Sequence, residues 1–245
     1  MFDNIDELPD GIQKLLKVYP DHFKGATKNS IIWKDGTEMI YDDGIANKSY
    51  KDLLDKPDLQ DQFAMPYPMD EVFKEPSKNE DPGRIRYEPF FKKMYGNSAA
   101  EVKKNLTTIR WMPKTFNTPL QVTTINNVHE KMIALSAELD ERKEFHRYLK
   151  NPGGTFNWRV IAGTNRLSAH SFGMTIDINV ALSDYWRWGI ANPADDGSIT
   201  IKYKNRIPLE LVKIFEKHGF IWGGKWYHYD SMHFEYRPEL LPLQD

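Results

Sequence analysis

The stretch "RLSAHSFGMTIDINV", residues 166–180, decides how this chain is read. In an extended strand successive side chains point to opposite faces. Met174, Ile176, Ile178 and Val180 then share one face, predicted to meet the core, while Thr175, Asp177 and Asn179 share the other. Asp177 thus stands on a polar face rather than inside an apolar run. His170 approaches the same face from the loop ahead of the strand, with Gly173 relaxing the backbone between them. Near the C-terminus "MHFEYR" (232–237) obeys the same rule, with Met232, Phe234 and Tyr236 inward and His233, Glu235 and Arg237 outward. If the two strands are neighbours, Asp177 and His233 converge, because opposed Cβ atoms lie roughly 4.5–5.5 Å apart. Two imidazoles and one carboxylate on a sheet make a three-ligand metal site with an open position, the pattern of a catalytic rather than a structural zinc. The same donors suit non-haem iron.

Composition bounds the alternatives. The 245 residues suffice for a buried core without staples, and 40% hydrophobic with 28% charged residues is the balance of a globular chain. A net charge of −2, with both signs interspersed, gives no electrostatic case for nucleic acid or an anionic membrane. No apolar run approaches the roughly 18 residues of a transmembrane helix. The N-terminus "MFDNIDELPDGIQ" carries no signal-peptide pattern. There is no cysteine, so disulfides, thiolate metal sites and thiol nucleophiles are excluded and any metal is held by His, Asp, Glu or carbonyl oxygen.

Residues 1–95 read as a turn-rich N-terminal segment that wraps the core. "SIIWKDGTEMIYDDG" predicts a hairpin turning at Asp35-Gly36, "YKDLLDKPDLQDQF" a short helix broken at Pro57, and the proline-rich "AMPYPMDEVFKEPSKNEDPGRIRYEPF" irregular chain. Residues 96–245 carry sharper signals. Ser98 with Glu101 is a capping box. "LTTIRWM", "PLQVTTI" and "NWRVIAGT" predict strands; Val128, Met132, Leu135 and Leu139 predict a helix; Pro208 and Gly219 punctuate another. Helices and strands do not alternate as βαβ units, so the fold class is α+β, an antiparallel sheet with flanking helices.

"SAHSFGMTID" resembles the Ser-x-His-x-x-Gly-x-x-x-Asp motif of the M15 family of zinc peptidoglycan peptidases, and "FIWGGKWYHYDSMHFEY" resembles that family's Gly-Phe-x-Trp-Gly-Gly…Trp…Asp-x-x-His-Phe segment. The two stand in the family's order and cover residues 158–236. Position 174 departs by carrying Met where a small residue is commoner. The resemblance implies a hedgehog/DD-peptidase-like core, one zinc ion, and His170, Asp177 and His233 as its ligands. It puts Asp230 in the general-base position and Arg166 as the oxyanion arginine, with Arg159 in reserve. Ser168 and Trp222 are candidate substrate contacts, and Ser168 is equally suited to capping its turn. Trp222 and Trp226 also suit core packing. His228 is expected to line the cleft mouth, His218 to serve its helix end, and Glu235 either to orient a ligand imidazole or to pair with Arg237.

The implied activity is hydrolysis of peptidoglycan peptide stems. Aspartate rather than glutamate at 230 favours an L-alanyl-D-glutamate endopeptidase. A D-alanyl-D-alanine carboxypeptidase is the alternative, with Arg84 and Arg86 serving a terminal carboxylate if the N-terminal segment folds over the cleft. A non-catalytic wall-binding module would need neither the ligand set nor Asp230. The expected protein is a monomer acting outside the cytoplasm, with an export segment upstream of Met1.

Overall fold

The computed structural model describes residues 3–69, 71–191 and 193–242. The N-terminal part holds helix α1 (Asp10–Val18), a three-stranded antiparallel sheet of β1 (Phe23–Thr27), β2 (Ser30–Trp33) and β3 (Glu38–Ile40), and helices α2 (Tyr50–Asp55) and α3 (Glu88–Tyr95). There follow α4 (Ala99–Lys104), the hairpin β4 (Leu106–Trp111) and β5 (Thr118–Thr123), α5 (Val128–Asp140) and the single turn α6 (His146–Leu149). The last third supplies β6 (Pro152–Gly154), β7 (Thr175–Asn179), α7 (Leu209–Lys217), β8 (Phe220–Trp222) and β9 (His233–Tyr236). The architecture is α+β with antiparallel sheets, and the four-stranded sheet runs β6-β7-β9-β8.

Local chemistry explains the element ends. Ser98 accepts the Glu101 N–H at 3.2 Å, and the Glu101 carboxylate reaches back to the Asn97 N–H at 2.7 Å, which starts α4. Pro208 sits at the N-cap of α7, and Gly219, at φ +91°, lets the chain leave its far end where a Cβ would press into the Tyr236 ring. The apolar side of α7 (Leu211, Val212, Phe215) is buried with Ile176, Ile178 and Phe234 of the four-stranded sheet. Phe215 and Phe234 stack with centroids 3.8 Å apart. The same apolar cluster takes in Ile12, Trp33 and Phe90 from the first 95 residues.

Three expectations from the sequence are corrected by the structure. The N-terminal segment holds amphipathic helices: α1 buries Ile12 and Leu15, and α3 buries Phe90, Phe91 and Met94, in a stretch whose prolines and turns masked the periodicity. "NWRVIAGT" is not a strand. It makes a single bridge, Val160 to Leu167, because Gly163 at φ +76° folds the chain back so that the Ile161 N–H donates to the Arg166 carbonyl. Finally, His233, Glu235 and Arg237 do not face solvent; they are covered by residues 83–86, with Arg86 donating to Glu235 at 3.1 Å and Arg237 to the Gly83 carbonyl.

Truncating the stacked ring at the centre of this packing, Phe234→Ala, is expected to lower the unfolding free energy by about 3–5 kcal/mol, read from urea denaturation of the metal-free protein. A loss below about 1 kcal/mol would show that the sheet does not rest on α7 through this ring.

Candidate metal centre

Backbone pairing builds the site. β7 and β9 pair antiparallel with Asp177 opposite His233, so one residue from each strand enters the same space. His170 comes from the 3-10 turn Ala169–Phe172, capped by the Ser168 hydroxyl, which accepts the His170 N–H at 3.4 Å. Gly173 closes that turn at φ +67°, and a Cβ there would lie 2.6 Å from Leu106. Glycine is required for the loop to deliver the histidine.

Hydrogen bonds then aim the rings. His170 Nδ1 lies 3.0 Å from the Thr155 carbonyl and 3.0 Å from Thr175 Oγ1, which leaves Nε2 directed at Asp177 Oδ1, 3.1 Å away. His233 Nδ1 lies 2.9 Å from the same oxygen. One donor atom from each of the three residues falls within a common span of 4.8 Å. Burial alone would raise the Asp177 pKa, but the charge and hydrogen bonds of the two imidazoles hold it well below the usual carboxylate range. Burial likewise opposes charge on His233, yet the hydrogen bond and charge of Asp177 outweigh it and raise the ring's pKa. Two nitrogens and one carboxylate oxygen, backed by a carbonyl that fixes one tautomer, fit a divalent transition metal.

Asp230 stands beside this trio on a backbone bridge to Tyr185. Its Oδ1 is sequestered with no hydrogen-bond partner among the described residues. Burial, then the charge of Asp177, pushes its carboxyl up to about 7. All four residues line a cavity of about 90 Å³ whose walls also include Arg84, Arg86, Arg159, Trp186, Trp226 and His228. Arg84 and Arg86 are shared with an adjoining cavity of about 750 Å³.

The structure redistributes the other candidates. Arg166 does not line the metal cavity; its guanidinium pairs with Asp195 and lies 3.4 Å from Asp55, at the wall of the larger cavity. Arg159 is the sequence-derived arginine on the metal side. Trp222 is 1% exposed and donates its indole N–H to the Ser231 carbonyl, so it packs in the core, while Trp226 takes a place in the wall. Ser168 lines the cavity and also caps its turn. His228 is buried within the wall rather than set at a mouth, and His218 accepts or donates a hydrogen bond with Glu138 at 2.8 Å. Glu235 pairs with Arg86, and Arg237 with Glu239. Tyr50 and Asp81 were not legible in the sequence, since they lie far from the two motifs, and Trp186, which lies between the motifs, carries no spacing signal of its own.

A second carboxylate group, Asp42, Asp43 and Asp58, also clusters. The Lys48 ammonium sits among it, 2.9 Å from Asp43 and 3.1 Å from Asp58. That one ammonium partly offsets the cluster's negative charge and occupies the space between Asp43 and Asp58.

Residues 162–236 match a family model described as D-alanyl-D-alanine carboxypeptidase of the M15 peptidases, which supports an M15 family peptidase. No curated protein and no solved structure matches the chain. Both motifs and all of the metal-binding trio lie within the matched stretch, whereas Arg84, Arg86 and Asp81 lie outside it.

Two outcomes test the geometry. His170→Ala is expected to abolish stoichiometric metal binding while most of the fold survives; full metal content in the purified variant would reject the ligand set. The second concerns the metal-free protein. A carboxyl whose folded pKa is raised from 3.8 to about 7 stabilises the fold most at low pH, and that contribution is lost as pH rises through about 7. Asp230→Asn should therefore be more stable than the parent at and above neutral pH, by on the order of a few kcal/mol, with the gap closing toward acid. Parallel stability curves at every pH would show that burying the Asp230 carboxyl beside Asp177 carries no such cost.

Proposed function

We propose that the protein is a zinc-dependent peptidase of bacterial peptidoglycan stems, with a hedgehog/DD-peptidase-like core around which residues 1–95 wrap, and that it acts outside the cytoplasm. The observation that carries this reading is the convergence of His170, Asp177 and His233 beside the sequestered carboxyl of Asp230 in one cavity. Among the described residues no helix is long and apolar enough to cross a membrane.

His170, Asp177 and His233 would hold one zinc ion. When bound, zinc supplies Lewis acidity toward a peptide carbonyl and lowers the pKa of water to about 7. Asp230 Oδ1, unpaired and adjacent, takes a proton from the attacking water and delivers it to the departing amine. Arg159 lies close enough for its charge to act on Asp230, and no carboxylate pairs with it among the described residues. It is the arginine free to stabilise negative charge developing on the carbonyl oxygen. Trp186 and Trp226 exclude water from the wall.

The walls bear on which bond is cut. Arg84, Arg86 and Arg159 line the small metal cavity; Arg84 is held by Asp195 and Arg86 by Glu235, which leaves Arg159 as the guanidinium with no carboxylate partner among the described residues where a short, carboxylate-ended peptide would enter. This favours release of the terminal D-alanine from a D-alanyl-D-alanine end. The second reading, L-alanyl-D-glutamate endopeptidase, rests on aspartate rather than glutamate at 230 and on the 750 Å³ cavity, which has room for chain on both sides of a bond. Digestion of purified muropeptides followed by mass spectrometry separates them. Loss of one alanine from pentapeptide stems supports the first reading, a cut after L-alanine supports the second, and intact muropeptides with a metal-loaded protein would defeat both. Asp230→Asn is expected to keep its metal while turnover falls about 10²–10⁴-fold; near-parental turnover would take Asp230 out of the reaction.

A further inference from the structure

His228 is a buried histidine that the proposed hydrolysis does not use. Its side chain and that of Asp81 are both 0% exposed. Asp81 grips it twice: Oδ1 accepts the His228 backbone N–H at 2.8 Å, and Oδ2 lies 2.7 Å from Nδ1. Tyr50 donates its hydroxyl to the same Oδ2, stacks on the imidazole at 5.5 Å, and receives a hydrogen bond from Arg84 at 2.7 Å. Trp186 stands edge-on to the ring at 4.8 Å. The imidazole cannot turn. Its one remaining polar atom, Nε2, is buried, lies in the wall of the metal cavity, and has no partner among the described residues.

A buried polar atom left open in a reaction cavity is satisfied by what enters the cavity. What it can bind depends on which nitrogen carries the proton. Burial works against charge on Asp81, but the hydrogen bond from His228 and the charge of Arg84 hold its carboxyl below the usual range, so it accepts. An ionised oxygen 2.7 Å from Nδ1, already receiving the Tyr50 hydroxyl, requires the proton to be on Nδ1. With that proton on Nδ1, the lone pair of the ring lies on Nε2. The arginines of the same wall, Arg84, Arg86 and Arg159, can only donate. They suit carbonyl and carboxylate oxygens and leave the N–H groups of a bound peptide to the open acceptors of the cavity, Asp230 Oδ1, which the proposed hydrolysis uses, and His228 Nε2.

We propose that Asp81 is a positioning residue: it fixes His228 in the Nδ1–H form so that Nε2 accepts a hydrogen bond from an amide N–H of the bound peptide stem. The proposal deepens the peptidase reading above and rests on it. It also gives the N-terminal segment, which lies outside the matched family stretch, a part in setting substrate register. Asp81→Asn is nearly isosteric, yet its amide can donate to Nδ1 and so favours the opposite form, with hydrogen on Nε2. In the Ser-His-Asp triad of serine proteases, the same aspartate-to-asparagine change leaves the geometry intact and disables the histidine through the wrong tautomer.

Nitrogen-15 NMR of the imidazoles in the full-length protein, assigned with His228→Ala, reads the form directly. The parent should show a protonated Nδ1 and a bare Nε2, and a synthetic stem pentapeptide added to the metal-free protein should shift the Nε2 signal. In Asp81→Asn the protonation should reverse. With metal loaded, Asp81→Asn and His228→Ala should each lower kcat/KM by about tenfold, the worth of one hydrogen bond. Metal content should be unchanged. Combined, the two substitutions should cost no more than His228→Ala alone. A parent ring protonated on Nε2, or an Nε2 signal indifferent to the peptide, overturns the proposal even if Asp81→Asn fails to fold. A loss from Asp81→Asn that persists in full in the His228→Ala background would show that Asp81 serves only the fold. If the metal-loaded parent cleaves no stem peptide, the peptidase reading fails, while the tautomer measurement still decides what Asp81 does to His228.

Discussion

The pairing of Asp177 with His233 across β7 and β9 is the constraint on which the rest depends. A one-residue slip in either strand would turn its side chain to the opposite face. It would bury Asp177 in the apolar layer and bring Ile176 or Ile178 into the cavity. The register is held from the apolar side, where Ile176 faces Phe234 across the strands and Phe234 stacks on Phe215 of α7. Hydrophobic packing on one face thus sets the metal-binding geometry on the other.

The polar face of that sheet costs something to keep. Glu235, Arg237 and Glu239 are fully buried, and Arg86 nearly so. A buried charge is tolerable only when paired and hydrogen-bonded. Here Arg86 meets Glu235, and Arg237 meets Glu239, whose other oxygen accepts the Tyr19 hydroxyl at 2.6 Å. Both the covering arginine and Tyr19 come from the first 95 residues. The charges buried beside β9 are thus partnered in part by side chains from outside the four-stranded sheet.

Legibility in the sequence followed the range of the interactions. Alternation within "MTIDINV" and "MHFEYR" is a local property, so the faces of Asp177 and His233 could be read directly, as could the capped start of α4 and the hairpin at Asp35-Gly36. Arg166 lies four residues from His170 in the chain, yet its guanidinium is paired with Asp195 at the wall of the larger cavity, a separation that the local sequence does not express. Trp222 misled because an aromatic beside a motif suits either a platform or a core, and only the β8–β9 pairing, with Trp222 opposite Phe234, decides for the core. Asp81 and Tyr50 left no trace, because their significance exists only after 147 and 178 residues of separation from His228 have been closed.

The stretch that matches the family model and the residues ahead of it contribute different groups to the cavity. Residues 162–236 supply the candidate metal-binding trio and Asp230, on which the proposed chemistry rests. The arginines and the Asp81–Tyr50 clamp, drawn from residues 50–86, determine what hydrogen-bonding pattern the cavity presents. Donors cluster on the arginine wall, and the open acceptors are Asp230 Oδ1 and His228 Nε2. A peptide entering so small a space, as proposed, would have both carbonyl oxygens and N–H groups to satisfy. A wall that offered donors alone would leave its N–H groups unpaired at a cost of about 1–3 kcal/mol each, so acceptor groups held at fixed positions are as necessary to selection as the arginines.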